Sequence, residues 1–398
     1  MVQSNATVCV ILLGATSSPN VASALSVDAS VASTVHLEVR GIRFGNFTNA
    51  IVLSGGAGHW IHGNFFAGPF LFPGTVLGNG VALQIDGGVA DVIGGVLPAD
   101  VNIIGASTGA AAVLISGGSG SATNSFHIIS NNSIGGEPAS AGSTYANSGT
   151  GITLLNNSQS SITSNWIVAN GGDGIRIDSS FNALVQSNAI GSSSAGLANG
   201  GAGVRVLAGG SSNFIGSPDP RVSGGANTIE GNGNAGVLID LDAGTANQVS
   251  GGGIQNNGGI AVDLAPQGTT VNIGSENSGP NNLIHKPQLG SADVAAVGPT
   301  IKVVGKIATL PNTPRYISVY GSHRCGDAFQ LLGGFYLNAT PGGAIALNLV
   351  VAAPTFAPAY ITAITHSATS GSQDSSEVSN CKKLSSSDDI FNDGFDDF

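Results

Sequence analysis

The chain has 398 residues, of which 61 are glycine and only 9% are charged, and its formal net charge is −11. The low charge content and positive mean hydropathy argue against a disordered chain, and the negative charge without a basic patch argues against a nucleic-acid-binding protein. The longest apolar run starts at Val8 and stops at Gly14, far short of the roughly 20 residues of a membrane-spanning helix.

Residues 1–35 contain two apolar stretches, VCVILL and the alternating SALSVDASV. They predict strands and an incomplete first coil of a larger repeat. The first basic residue is Arg40, so this segment lacks the charged start of a signal peptide. The chain is therefore either intracellular or a truncated or mature segment. We expect the second, with the native signal peptide absent from this chain.

Residues 151–190 contain two tandem copies of one sequence unit. GITL at 151–154 recurs as GIRI at 174–177, and ITSNWI at 162–167 recurs as VQSNAI at 185–190, both with a shift of 23 residues. Within each piece apolar and polar residues alternate, which is typical of a strand with one buried face. A strand–turn unit of this size buries its apolar face only by stacking on its neighbours, so the period predicts an all-β solenoid of parallel strands about 4.8 Å apart.

Asparagine recurs at one position of the second piece of the unit. Its register predicts a ladder of stacked amides that satisfies turn backbone, formed by Asn64, Asn132, Asn165 and Asn188. The alternative is that asparagine is simply common in turns.

The G-[IV]-x-[IVL] and [IV]-x-x-N-x-[IF] pieces resemble the right-handed parallel β-helix proteins of the pectate-lyase-like superfamily. The resemblance covers residues 36–284 and implies a right-handed parallel β-helix. Such repeats indicate the fold and leave the activity open.

Residues 285–383 differ in composition, since every lysine lies at or after Lys286. Short alternating stretches separated by Pro, Asn and Gly predict a small β-sandwich, and 278–294 is interpreted as a linker with a lead-in strand. Cys325 and Cys381 share this region and are predicted to form a disulfide, the alternative being two buried thiols, whereas Cys9 stands alone. The lead-in GPNNL at 279–283, the cysteine in mid-segment and the close SQDSSEVSNC at 372–381 resemble a module that follows β-helix repeats in large secreted bacterial proteins. Within residues 384–398, IFNDGF at 390–395 resembles a short C-terminal signature of secreted proteins of some gamma-proteobacteria. The alternative is an acidic disordered tail.

Alignment of the coils predicts which side chains share the outer face. With the last coil aligned on Ile260, Thr153, Arg176 and Arg205 fall in one column. Asp240, Asp242 and Asp263 are expected to cluster beside it. In the β-helix lyases that the chain resembles, carboxylates hold a hard cation and a basic residue removes a proton, and related hydrolases use paired carboxylates. The resemblance therefore implies Ca²⁺ ligands at the three aspartates and catalytic arginines. The alternative is a solvated face of ion pairs.

His59, Trp60 and His62 in GHWIHGN are a second candidate. Two histidines three apart in an alternating strand face opposite sides, which disfavours a metal site, and the aromatic residues nearby are expected to pack a loop.

The sequence thus favours a secreted or cell-surface protein with a structural, adhesion or glycan-binding role and no required cofactor. The rival hypothesis is a polysaccharide lyase or hydrolase that acts on acidic polysaccharide along the outer face. The expected partner in both cases is a polysaccharide or cell-surface glycan.

Overall fold

The computed structural model describes residues 10–14, 22–28, 36–66, 77–117, 125–136, 145–221, 224–266, 268, 272, 276, 279–294, 300–356, 359–368 and 373–384. Cys9 and most of the acidic tail, from residue 385 onward, lie outside the described residues.

The alternating repeats pair as parallel strands, which confirms the predicted β-helix. Ile152, Ile175 and Val204 are consecutive partners across three coils, as the 23-residue repeat requires for its first pair. From Val81 to Gln255 each coil contributes one strand to each of three stacked sheets, joined at three corners.

In the described residues the first sheet has nine strands and the second has eight. The strands of the first sheet are Ser23–Asp28, Asn49–Ser54, Val81–Asp86, Ala111–Ser116, Thr150–Leu155, Ile175–Asp178, Val204–Leu207, Val237–Ile239 and Val262–Leu264. The strands of the second sheet are Glu38–Arg40, Trp60–His62, Val92–Gly94, Ile128–Ser130, Ser161–Thr163, Leu184–Gln186, Phe214–Ile215 and Gln248–Val249.

The third sheet has six strands in the same described residues. They are Ile103–Ile104, Ser133–Ile134, Trp166–Ile167, Ala189–Ile190, Thr228–Glu230 and Ile254–Gln255. Val10–Leu13 and Ile42–Gly45 pair as two further parallel strands, linked to this sheet through single bridges at Phe65. A 3₁₀ turn at Pro98–Asp100 precedes the third sheet in one coil.

The solenoid core is a continuous stack of aliphatic side chains. Ile175 and Ile177 point inward and are fully buried, as their alternation with Arg176 and Asp178 predicts. The corner before each first-sheet strand comes close to the third sheet. A Cβ on Gly203 would lie 2.4 Å from the Cγ2 of Ile229, so only glycine fits this approach.

The predicted asparagine ladder is present between the second and third sheets. Asn64, Asn132, Asn165 and Asn188 are all buried, and two members that the sequence pattern missed, Asn102 and Asn227, complete the series. From Asn102 onward each side-chain oxygen accepts from the preceding ladder residue, and Asn64 Oδ1 accepts from the backbone N–H of Ile42. The buried corner amides are thus satisfied without water. A second series, Asn147, Asn170, Asn199, Asn232 and Asn257, performs the same task at the corner before the first sheet.

The C-terminal segment forms two antiparallel sheets around a core of its own, as a β-sandwich requires. Gln288–Val294, Thr300–Ala308 and Ala344–Ala352 form one sheet, and Gln330–Asn338, Pro314–Ser322, Tyr360–Ser367 and Lys382–Lys383 form the other.

This module closes the end of the solenoid. The backbone N–H of Gly253 donates to the carbonyl of Phe329 at 2.7 Å, and that of Ala261 donates to Gly326 at 2.8 Å. Tyr320 and Val378 of the module belong to the solenoid core. The module therefore covers apolar surface and backbone groups that the last coil would otherwise expose.

The predicted disulfide joins Cys325 to Cys381. The segment interpreted as a linker begins with a turn at Pro280–Leu283, in which Asn281, Asn282 and Leu283 have positive φ. Within it Asn281 is buried, and its Oδ1 accepts from the backbone N–H of Asn247 at 2.9 Å. The segment thus extends the stacking of a solenoid corner, because its amide supplies an acceptor that the last coil lacks.

Candidate functional site

The outer face of the first sheet places two arginines side by side. Arg176 and Arg205 are direct register partners on neighbouring parallel strands. Their neighbours Ile175 and Val204 point into the core, so alternation directs both guanidinium groups outward. Thr153 continues the same row on the preceding coil. The sequence-predicted column is therefore correct over these three coils.

Each arginine is paired with a different carboxylate. Arg176 Nη2 lies 2.7 Å from Asp178 Oδ2 on the same strand, and Arg205 Nε donates to Asp240 Oδ2 at 2.9 Å. About a third of each arginine side chain stays exposed, 37% for Arg176 and 35% for Arg205. Burial alone would lower the pKa of Arg205, but its hydrogen bond and charge interaction with Asp240 outweigh burial and raise it. Both guanidinium groups are charged donors at a solvent-accessible surface.

A further carboxylate, Asp173, lies at the corner before the Arg176 strand. It is 9% exposed, and its Oδ1 accepts from the backbone N–H of Ala202 at 2.8 Å. Burial raises the pKa of Asp173, although the Ala202 hydrogen bond and the charges of Arg205 and Arg176 act in the opposite direction. Sequence reasoning missed this residue, whose one signal is its place in the Gly-Gly-Asp-Gly turn before the strand.

The predicted grouping of the three aspartates is wrong in register. Leu238 pairs with Asp263, so Asp263 occupies the row of Arg205 and not the row of Asp240. The prediction aligned the last coil on Ile260, but Val262 and Leu264 are the inward residues of that strand, which shifts the register by two. Spacing alone missed this because the coils differ in length.

The three aspartates have separate partners. Asp240 binds Arg205, while Asp242 Oδ1 accepts from the backbone N–H of Ala208 at 3.0 Å. Asp263 is buried, its Oδ2 accepts from Gly268 N–H at 2.8 Å, and its Oδ1 has no hydrogen-bond partner among the described residues. Burial raises the pKa of Asp263 to about 6, and the charge of Glu377 adds to this.

Within the ranges that the structure describes, no group of three His, Cys, Asp or Glu side chains is arranged to hold a metal ion. A Ca²⁺ site at these aspartates therefore stays a prediction, as does a catalytic role for Arg176 and Arg205.

The two histidines of the second candidate lie in different environments. His59 is a buried corner residue whose Nδ1 accepts from the backbone N–H of Leu37 at 3.1 Å. His62 lies on the Trp60–His62 strand between two carboxylates. The pair does not form a joint site.

No helix in the described part of the chain is long and apolar enough to cross a membrane. No protein-family model matches the chain. No curated protein matches it either.

Among solved structures, the chain is similar to the full-length tailspike protein 2 from Escherichia coli O157:H7 bacteriophage CAB120. The sequence identity is 10% and the TM-score is 0.28, and the match covers 84% of this chain and 58% of the tailspike chain. The chain thus spans 58% of the length of that protein. The stacked parallel sheets of the chain itself, closed by an antiparallel sandwich, identify it as a parallel β-helix repeat protein with a C-terminal β-sandwich module.

Proposed function

We propose that this is a secreted or cell-surface protein whose β-helix presents a glycan-binding face in a structural or adhesive role. The observation that carries the proposal is the register pairing of Arg176 with Arg205 on the outer face of the first sheet, each beside a carboxylate. Nine strands at about 4.8 Å spacing give a surface roughly 40 Å long, enough for several sugar units.

The chemistry of this face suits carbohydrate. Sugar hydroxyls both donate and accept hydrogen bonds, and Arg176 with Asp178 offers donors and acceptors within one pair. Arg205 with Asp240 repeats the arrangement one coil away. Because the guanidinium groups are neutralised by neighbouring carboxylates, the face supports hydrogen bonding more than the binding of a highly charged polymer.

The disulfide supports the proposed location. Cys325 and Cys381 are bonded in a region that closes the solenoid. Disulfides persist in oxidising compartments such as the cell exterior, and they are rare in the cytosol.

The test is binding of the purified protein to a panel of neutral and uronic-acid polysaccharides by affinity electrophoresis and calorimetry. We expect retardation by at least one polysaccharide, and a loss of roughly tenfold in affinity for an Arg176→Ala, Arg205→Ala double variant. Lys302→Ala, on an exposed position of the sandwich, is the matched control. If no polysaccharide is bound, or the double variant binds like the parent, the first-sheet face is not the glycan site.

A second candidate function is polysaccharide cleavage, and Asp173 is the observation that favours it. Its raised pKa contrasts with the ion-paired Asp240, and two carboxyl groups in such different environments suit general acid and base roles. Release of reducing ends, lost in Asp173→Asn, would indicate a hydrolase. A calcium-dependent rise in ultraviolet absorbance on uronic-acid polysaccharide would indicate a lyase.

A further inference from the structure

A second group of polar and aromatic side chains lies on the outer face of the second sheet, away from the two arginines. Trp60 and His62 are two residues apart on one strand, so both point outward, and their rings stack with centroids 3.8 Å apart and planes 8° apart. Trp60 Nε1 donates to the carbonyl of Gly94 at 2.8 Å, which holds the indole across the sheet.

His62 is held from both sides by carboxylates. Its Nδ1 lies 3.0 Å from Asp100 Oδ1, and its Nε2 lies 3.1 Å from Glu38 Oε1. The His62 and Asp100 side chains are 2% and 8% exposed, whereas that of Glu38 is 46% exposed. The buried pair therefore fixes the orientation of an accessible carboxylate beside a partly exposed indole.

The loop that follows Gly94 borders this arrangement. Asp100 Oδ2 accepts from the backbone N–H of Leu97 at 3.1 Å, so the residue that orients His62 also anchors the loop. Val96 and Leu97 on this loop are 87% and 60% exposed, which is unusual for large apolar side chains. The loop begins directly after Gly94, whose carbonyl accepts from Trp60, and it lies on a different sheet from the Arg176–Arg205 face.

We propose that Trp60 and Glu38 form a saccharide-binding site, in which the indole face opposite His62 stacks on a pyranose ring and Glu38 accepts hydrogen bonds from its donors. His62 covers one face of the indole, and the indole remains partly exposed while His62 does not. An aromatic face next to a carboxylate matches the apolar C–H face and polar edge of a pyranose. The anionic Glu38 favours rings that carry hydroxyl or amino groups and disfavours uronates.

The test uses the full chain and two probes, a cello-oligosaccharide and a chitosan oligosaccharide. The protein has two tryptophans, so the Trp166→Phe variant leaves Trp60 as the only tryptophan, which is excited selectively over tyrosine at the red edge of its absorption. We expect a saturable change in its fluorescence with at least one probe. Calorimetry should show that Trp60→Ala lowers the binding affinity for that probe roughly tenfold. Trp166→Phe is also the matched control, because Trp166 packs in a separate cluster beside Val168.

Variants of Glu38 distinguish a site for neutral sugars from a site for amino sugars. Glu38→Ala should weaken binding of whichever probe is bound, by several-fold. Glu38→Gln should recover the binding of a neutral sugar, because the amide oxygen still accepts hydrogen bonds. It should not recover the binding of an amino sugar, because the amide carries no negative charge. The proposal is overturned if neither probe changes Trp60 emission at millimolar concentration, or if Glu38→Ala binds like the parent.

This site is independent of the proposed function of the first sheet. Arg176→Ala should leave binding at Trp60 unchanged, and Trp60→Ala should leave binding at the arginines unchanged. A failure of either proposal therefore leaves the other intact. If Trp60→Ala does not fold, as judged by circular dichroism, the fluorescence of the Trp166→Phe protein still decides the question.

Discussion

Asn165 donates two hydrogen bonds to one atom of Asn188, its neighbour in the next coil. Its backbone N–H lies 2.9 Å from Asn188 Oδ1, and its side-chain Nδ2 lies 3.0 Å from the same oxygen. Asn132 makes the same two contacts with Asn165. Each residue is thus both donor and acceptor, and the loss of one side chain leaves the buried backbone N–H of the preceding ladder residue without this acceptor.

Asn165→Ala should lower the free energy of unfolding by roughly 2–3 kcal/mol, because the buried backbone N–H of Asn132 loses its acceptor and the carbonyl of Ile129 loses a donor. Urea denaturation measures the change. Asn348→Ala, at an exposed position on a sandwich strand, is the control and should cost less than about 0.5 kcal/mol. Equal losses in both variants would mean that the ladder contributes no special stability.

Two arginine pairs with different burial should respond differently to truncation. Arg176→Ala should cost about 0–1 kcal/mol, since its pair with Asp178 is partly exposed. Arg315→Ala should cost roughly 3–5 kcal/mol, because Glu276 is 2% exposed and would remain buried without its charge partner. Chemical denaturation of both variants tests this order, and a severe loss for Arg176→Ala would contradict its outward placement.

Asp263→Asn should stabilise the protein at neutral pH. Burial raises the folded pKa of Asp263 from 3.8 to about 6, so between these values the folded state holds a proton that the unfolded state has lost. Stability therefore falls as pH rises through this window, and asparagine removes that penalty. We expect a gain of about 1–2 kcal/mol at pH 7.5 that vanishes near pH 4, as followed by urea denaturation across pH. A gain that is constant with pH would contradict this explanation.

His366 should make the junction between solenoid and module sensitive to acid. Its ring lies 2.8 Å from Ser375 Oγ and 3.0 Å from Ser318 Oγ, and Ser375 Oγ accepts from the backbone N–H of Val249 in the solenoid. Burial lowers the folded pKa of His366 from 6.5 to about 3, so below pH 6.5 the unfolded state binds a proton that the folded state does not. The contribution of the neutral, buried His366 ring to the free energy of unfolding is therefore complete above pH 6.5 and is lost as the pH falls toward 3.

The His366→Gln variant tests this contribution. Its hydrogen-bonding amide does not titrate, so the fall in stability between pH 6.5 and pH 4 should be shallower than in the parent by on the order of 2–3 kcal/mol. Thermal unfolding at half-unit pH steps measures the slope. Parallel profiles for the two proteins would show that other groups dominate the acid response.

The repeat could be predicted from the sequence because stacking of the coils fixes which side chains of each strand point into the core. Ile175 and Ile177 must point inward and Arg176 must point outward, so alternation alone predicted the strands, the face and the Arg176–Arg205 row. Asn132, Asn165 and Asn188 were found in the same way, because each occupies the same place in its unit.

Where coil length varied, the pattern failed. Asn102 was missed because its coil enters the corner through the Pro98–Asp100 turn, and Asp263 was misplaced because the last coil aligns two residues away from its apolar match. Asp173 and the Trp60–His62 stack with Glu38 carry no repeat signal at all.

The sequence by itself determined the period, the inward and outward faces and the β-helix, since these depend on which residues must avoid water within a single coil. Only the tertiary structure decided the environment of each charge. These charges and amides form hydrogen bonds across separations of 24 to 38 residues: Arg205 with Asp240, His62 with Glu38 and Asp100, and Asn281 with Asn247. Those contacts depend on loop lengths and on the docking of the module, which bring distant residues together and thereby set their burial and hydrogen bonding.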